Sequence, residues 1–251
     1  MIRNLNMQKS SGEKGITIPE YGVWLQSTGN DVIKAVTSSP INWLIADMQH
    51  GFWTLEDIEN LCLKCGVFSI NSIKPLVRVG LQPTASEIGS VLDSGAWGII
   101  IPNVETVEEV RLINNWMRYP PLGTRSVARC SGLDNTGLSL VDYIKWSNEN
   151  ISLISMIESK KGMENLEAIA KVSDGILFGV RDLSLSYQSS IECILNDIED
   201  QIKRYPFLTN KLFGIAGIDD IEINKTLNCT LYNIGTIRNL IKGSIVNLVN
   251  S

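Results

Sequence analysis

Five side chains in this sequence stand where chemistry is possible: Asp47, His50, Arg78, Glu158 and Asp182. Glu158 and Asp182 are 24 residues apart. That is about one strand–helix repeat, so carboxylates at neighbouring strand ends can converge. Like charges brought together need a cation or a shared proton. A hard divalent ion such as Mg²⁺ or Mn²⁺ suits oxygen ligands and tolerates several waters. His50 is the single histidine of the chain. A lone histidine is often structural. Its place after a buried strand, three residues beyond Asp47, points toward catalysis, with Asp47 fixing the ring's tautomer and orientation. Arg78 has two roles open to it. It can balance the charge of nearby carboxylates, or grip a substrate carboxylate with its planar fork.

These residues lie at the ends of short apolar runs. The runs cover 23–25, 43–46, 76–79, 98–101, 153–157, 175–178, 212–216 and 230–234. Amphipathic stretches separate most of them, at 55–65, 83–93, 105–117, 165–172 and 191–204. Thr54 reads as a helix cap before an acidic first turn, and Pro83 suits a first turn. Continuous apolar strands linked by helical crossovers are the pattern of a parallel sheet buried on both faces. Eight such units in 251 residues fit an α/β fold, a single (β/α)8 barrel spanning 1–251. A doubly wound sheet is the alternative, weakened by the lack of a GxGxxG turn after the first strand. Residues 1–18 form a polar extension. Residues 118–138 lack periodicity, and so long a loop is a fair candidate for function. It is expected to emerge from the fourth strand–helix unit, before a short helix at 140–148.

Composition narrows the function classes. Apolar residues make up 44% and charged residues 20%, which excludes disorder. The net charge of −5 shows no basic face for nucleic acid. No apolar run approaches the ~18 residues of a membrane span, and the N-terminus lacks the apolar core of an export signal. Five cysteines, an odd number, are expected as reduced thiols in the cytoplasm. Cys62 and Cys65 form a CxxC at a helix end without a second pair, which reads as packing. No lysine falls clearly at a strand's C-terminal end, and Lys74 precedes its strand, so a lysine nucleophile has no clear candidate.

The motifs carry a resemblance. They are YGVWL at 21–25, WLIADMQHG at 43–51, PLVRV at 75–79, LDSGA at 92–96 and IPNV at 101–104. RYPPLGTR at 118–125, MIES at 156–159, ENL at 164–166 and FGVRDLS at 178–184 follow. In this order they resemble the HpcH/HpaI aldolase/citrate lyase family of class II pyruvate aldolases. The resemblance implies a barrel of the phosphoenolpyruvate/pyruvate-binding type. It implies a divalent metal (Mg²⁺, Mn²⁺ or Co²⁺) on Glu158 and Asp182, with pyruvate and its enolate oxygen held by Arg78. His50 would transfer protons together with Asp47. The implied reaction is reversible aldol cleavage of a 4-hydroxy-2-oxo acid to pyruvate and an aldehyde. The resemblance further implies a homo-oligomer, a hexamer built from dimers or trimers, with the last helix packed on a neighbour. The candidate helix at 237–249 has one broad apolar face. Gln49, Arg125 and Arg181 are expected at the substrate, and Asp93 at a subunit interface or behind the site.

The chain departs from the family pattern at three positions and in a short region after Asp182. Gln49 replaces an acid before the histidine, Val180-Arg181 replaces a Pro-x pair, and Ser126 replaces a glycine. Decarboxylation or thioester lysis on the same enolate machinery, or a silent barrel that binds an oxo acid, stay open beside the aldolase reading.

Overall fold

The computed structural model describes residues 20–66 and 73–250. The polar extension at 1–18 lies outside them. Eight parallel strands close into one barrel in chain order. They are β1 (Glu20–Leu25), β2 (Trp43–Asp47), β3 (Lys74–Arg78), β4 (Gly98–Ile101), β5 (Ser152–Ile157), β6 (Gly175–Gly179), β7 (Leu212–Ala216) and β8 (Leu231–Thr236). β8 pairs back onto β1 through Tyr21–Tyr232 and its neighbours. Each expected apolar run falls on one of these strands. The strands are buried on both faces, as their lack of alternation requires: β2, β4 and β6 are buried along their whole length.

Three successive crossover helices begin alike. Thr54, Thr84 and Thr106 each accept a hydrogen bond from a backbone N–H three residues on. The side chains of Asp57, Glu87 and Glu109 in turn accept from the backbone N–H of the cap. Each capping box satisfies two backbone donors that a helix start leaves free. Pro83 therefore precedes the cap, and that helix runs Ala85–Asp93. Cys62 and Cys65 are buried on the inner face of helix Leu55–Cys65. Burial pushes the Cys65 thiol up to about 12, which leaves it unreactive.

The segment 118–138 is not at the end of the barrel where the strands finish. Helix Val107–Met117 carries the chain away from the C-terminal end of β4 before the segment begins. Arg118 then donates through Nη1 to the Ile151 carbonyl, 2.6 Å, and pairs through Nη2 with Asp174, 2.9 Å. Ile151 and Asp174 immediately precede β5 and β6, so this segment closes the N-terminal mouth. It is a helix-to-strand connection, and only strand-to-helix connections reach the other face. Helix Leu140–Asn150 continues the closure, with Trp146 against Trp97 at 5.6 Å. Among the described residues no helix is long and apolar enough to cross a membrane.

Candidate active site

At the C-terminal end, β2 and β3 pair with Asp47 opposite Arg78. The carboxylate accepts from Arg78 twice, Nε to Oδ1 at 2.9 Å and Nη2 to Oδ2 at 2.7 Å. Both residues are buried. Burial alone would raise the Asp47 carboxyl, but the hydrogen bonds and charge of Arg78 hold it below its ordinary 3.8. Asp47 Oδ1 also accepts from the backbone N–H groups of Gln49 and His50, each at 3.2 Å. Asp47 therefore organises the turn that bears His50. It meets His50 through the backbone and makes no hydrogen bond to the ring, unlike the arrangement expected from the spacing. Gly51 follows because the Asp47 carbonyl lies against it and leaves no room for a side chain.

Arg78 is fixed on a second side by the Trp24 ring, 4.6 Å below its Cζ. Its remaining terminus, Nη1, lies 3.8 Å from the Met156 sulfur and donates to no oxygen among the described residues. A thioether sulfur is a weak acceptor, so this edge keeps donor capacity for a ligand oxygen. Gln49 Oε1 is buried without a partner. The His50 side chain is exposed beside it.

Glu158 follows β5 and is buried. Its Oε2 accepts from the backbone N–H of Asn103 at 2.7 Å. Asn103 sits at φ +48°, a turn that aims this N–H at the carboxylate. Gly179 ends β6 beneath Glu158, where a Cβ would lie 2.7 Å from Glu158 Cγ. The next turn, in helix Val180–Tyr187, brings Asp182 close enough to share a proton with Glu158. Burial raises the Glu158 carboxyl most strongly. The Asn103 N–H opposes it, the Asp182 charge adds to it, and the net result is about 7. A buried carboxylate beside a second one is a site that lacks positive charge. The donors are hard oxygens, and Asp182 is exposed, so a divalent cation fits. Among the described residues no three His, Cys, Asp or Glu side chains cluster, so water or ligand oxygens would complete its shell.

Asp47, Gln49, His50, Arg78, Glu158, Arg181 and Asp182 thus belong to strand ends and first turns at one end of the barrel. Arg125 and Asp93 do not. They pair at 2.6 Å at the N-terminal end, where helix Ala85–Asp93 finishes. Arg125 also stacks on Tyr119 at 4.5 Å. Within this chain its guanidinium joins a buried structural cluster away from Glu158. Three positioning residues were given no role in the sequence reading: Trp24, Asn103 and Gly179. Each lies in a quoted motif, at 21–25, 101–104 and 178–184, which was the signal available.

A family model described as HpcH/HpaI aldolase/citrate lyase matches residues 20–228. The chain belongs to this family. A 2-keto-3-deoxy-L-rhamnonate aldolase of Salmonella gallinarum is 33% identical over 176 residues, 66% of this chain and 62% of that relative. The match thus spans less than two thirds of the relative's length. A crystal structure of the citrate synthase SbnG has a TM-score of 0.76 at 25% identity, with 93% of each chain covered. A family member from Burkholderia cenocepacia J2315 has a TM-score of 0.79 at 21% identity, covering 94% of this chain and 96% of that one.

Proposed function

We propose that this family member is a carbon–carbon lyase, a class II aldolase that cleaves a 4-hydroxy-2-oxo acid reversibly to pyruvate and an aldehyde. The observation that carries the reading is the convergence of Glu158 and Asp182 on a face shared with the open edge of Arg78. When bound, a divalent cation (Mg²⁺, Mn²⁺ or Co²⁺) held by Glu158 and Asp182 would supply Lewis-acid stabilisation of the charge left on pyruvate. Arg78 binds the oxo acid through Nη1 while Asp47 holds its other edge, so the guanidinium is oriented before substrate arrives. His50 takes the proton of the C4 hydroxyl as the carbon–carbon bond breaks and returns it on synthesis. Gln49 offers an unpaired acceptor to a substrate donor in the same turn. The aldolase name of the curated relative favours this reading over decarboxylation, thioester lysis or a silent barrel.

We further propose a homo-oligomer in the cytoplasm. The terminal helix, Ile237–Asn250, has no buried residue, and Ile241, Ile245, Leu248 and Val249 are exposed along it. A second copy of the chain is the natural cover for such a stripe. All five cysteines are free thiols, which agrees with a reducing compartment. For Arg125 and Asp93 we propose a supporting role at or near the contact between copies.

The test is to incubate the purified protein with Mn²⁺ and pyruvate in deuterated water, then with a panel of aldehydes. Metal-dependent deuteration of the pyruvate methyl and formation of a 4-hydroxy-2-oxo acid are expected. Equal rates with and without a chelator would overturn the reading.

A further inference from the structure

Glu158 stands one residue beyond β5, yet backbone of the neighbouring strands fixes its carboxylate. β4 ends at Ile101, opposite Ser155 of β5. The chain rejoins β5 at Val104, whose N–H donates to the Met156 carbonyl at 3.0 Å. Pro102 and Asn103 alone span the gap between these anchors, and Pro102 has no N–H to give. The Asn103 N–H, set by φ +48°, reaches Glu158 Oε2 at 2.7 Å. On the β6 side Gly179 leaves the space that Glu158 fills. A Cβ there would lie 2.7 Å from Glu158 Cγ and 2.9 Å from its Oε1.

The side chain of Asn103 has no comparable task. Asn103 is exposed, and its amide makes no hydrogen bond among the described residues. What the position demands is a left-handed backbone. Glycine adopts that conformation freely and asparagine at small cost, whereas a β-branched residue is strained in it. The residue type at 103 is thus explained by its backbone and not by its amide.

We infer that Asn103 is a positioning residue whose left-handed backbone sets the affinity of the Glu158–Asp182 pair for a divalent cation. This deepens the metal-dependent reading and rests on it. A carboxylate tied at one oxygen and confined along its stem is oriented before the cation arrives, so little freedom is lost on binding. When Asn103 leaves the left-handed region its N–H turns away, and a buried carboxylate loses its backbone donor. Arg78 is anchored separately, by Asp47 and Trp24, so the grip on the oxo acid stays.

The experiment is calorimetric titration of the purified protein with Mn²⁺ alone, which needs no turnover. Asn103→Val is expected to weaken binding about 10- to 100-fold, the scale of one hydrogen bond to a charged group. Asn103→Gly, which keeps the left-handed turn, is expected to stay within about threefold of wild type. Where circular dichroism shows that Asn103→Val does not fold, Asn103→Ala takes its place and must bind more weakly than Asn103→Gly. In turnover, the weakened variant should need more Mn²⁺ for half-maximal rate, while its KM for the oxo acid at saturating Mn²⁺ stays near that of wild type. Equal Mn²⁺ affinity in Asn103→Val and wild type overturns the inference. So does an Asn103→Gly that binds as weakly as Asn103→Val, because the amide would then carry the effect. A wild type that binds no Mn²⁺ looks different: it overturns the metal-dependent reading, and the inference with it.

Discussion

Asp47 grips Arg78 with both carboxylate oxygens, at 2.9 and 2.7 Å, across the register of β2 and β3. Each is the main compensation of the other's charge in this buried site. Removing one leaves the other in a low-dielectric site, which costs about 3–5 kcal/mol. Asp47→Ala should therefore lower the unfolding free energy by about that amount, measured by urea denaturation at pH 7. The native carboxyl is held below its ordinary 3.8. Its stabilisation is thus present above the unfolded value and is lost as pH falls through the lower native one. In Asp47→Asn that part of the acid limb should disappear, and an unchanged acid limb would show the pair to be inert.

Glu158 behaves in the opposite sense. Its native carboxyl is raised from 4.5 to about 7, so ionising it costs the metal-free protein stability as pH rises through that window. A divalent cation on the Glu158–Asp182 pair would remove that cost. The rise in melting temperature on adding Mn²⁺ should therefore be larger at pH 8 than at pH 6. Glu158→Gln and Asp182→Asn should each abolish both the shift and metal-dependent turnover while keeping the circular dichroism spectrum. A shift that survives either change would place the cation elsewhere.

Arg78→Lys keeps a positive charge and loses the fork. A lysine cannot hold Asp47 at two points and still present a donor to the oxo acid. We expect kcat/KM to fall about 10- to 150-fold, the value of one or two charge-assisted hydrogen bonds. Steady-state kinetics with unchanged values would reduce Arg78 to a charge balancer.

For His50→Ala, cleavage of the hydroxy-oxo acid should drop by about 10²- to 10⁴-fold, the usual worth of a positioned general base. Pyruvate binding should change little, because Arg78 and the carboxylate pair remain. Side-by-side rates of cleavage and of methyl deuteration separate the two steps. Cleavage within a few-fold of wild type in a folded variant would make His50 a structural residue.

Ile245 and Leu248 lie 57% and 77% exposed on the terminal helix. If a second copy covers them, Ile245→Glu with Leu248→Asp should shift the mass seen by light scattering down to that of one chain. A wild-type protein that is already monomeric at micromolar concentration would refute the oligomer.

Much of this architecture is legible in the sequence, because local rules suffice for it. Apolar runs without alternation mark strands buried on both faces, and Thr-x-x-acid steps mark where the helices start. Once eight strand–helix units are counted, Glu158 and Asp182 must stand at adjacent strand ends, so their convergence follows from chain order alone. Other features depend on register and direction, which no local pattern encodes. Asp47 is three residues from His50 in sequence, yet its side chain binds Arg78, because β2 and β3 pair with those two positions opposite each other. Residues 118–138 have the composition of a functional loop, yet they close the N-terminal mouth, because a helix has already carried the chain to that end. For the same reason Arg125 finds Asp93 and not the site. Arg181 is written in the sequence as a cation beside a carboxylate. Only the packed barrel, with the Gly217 carbonyl after β7 accepting from its Nε, turned it away from that carboxylate.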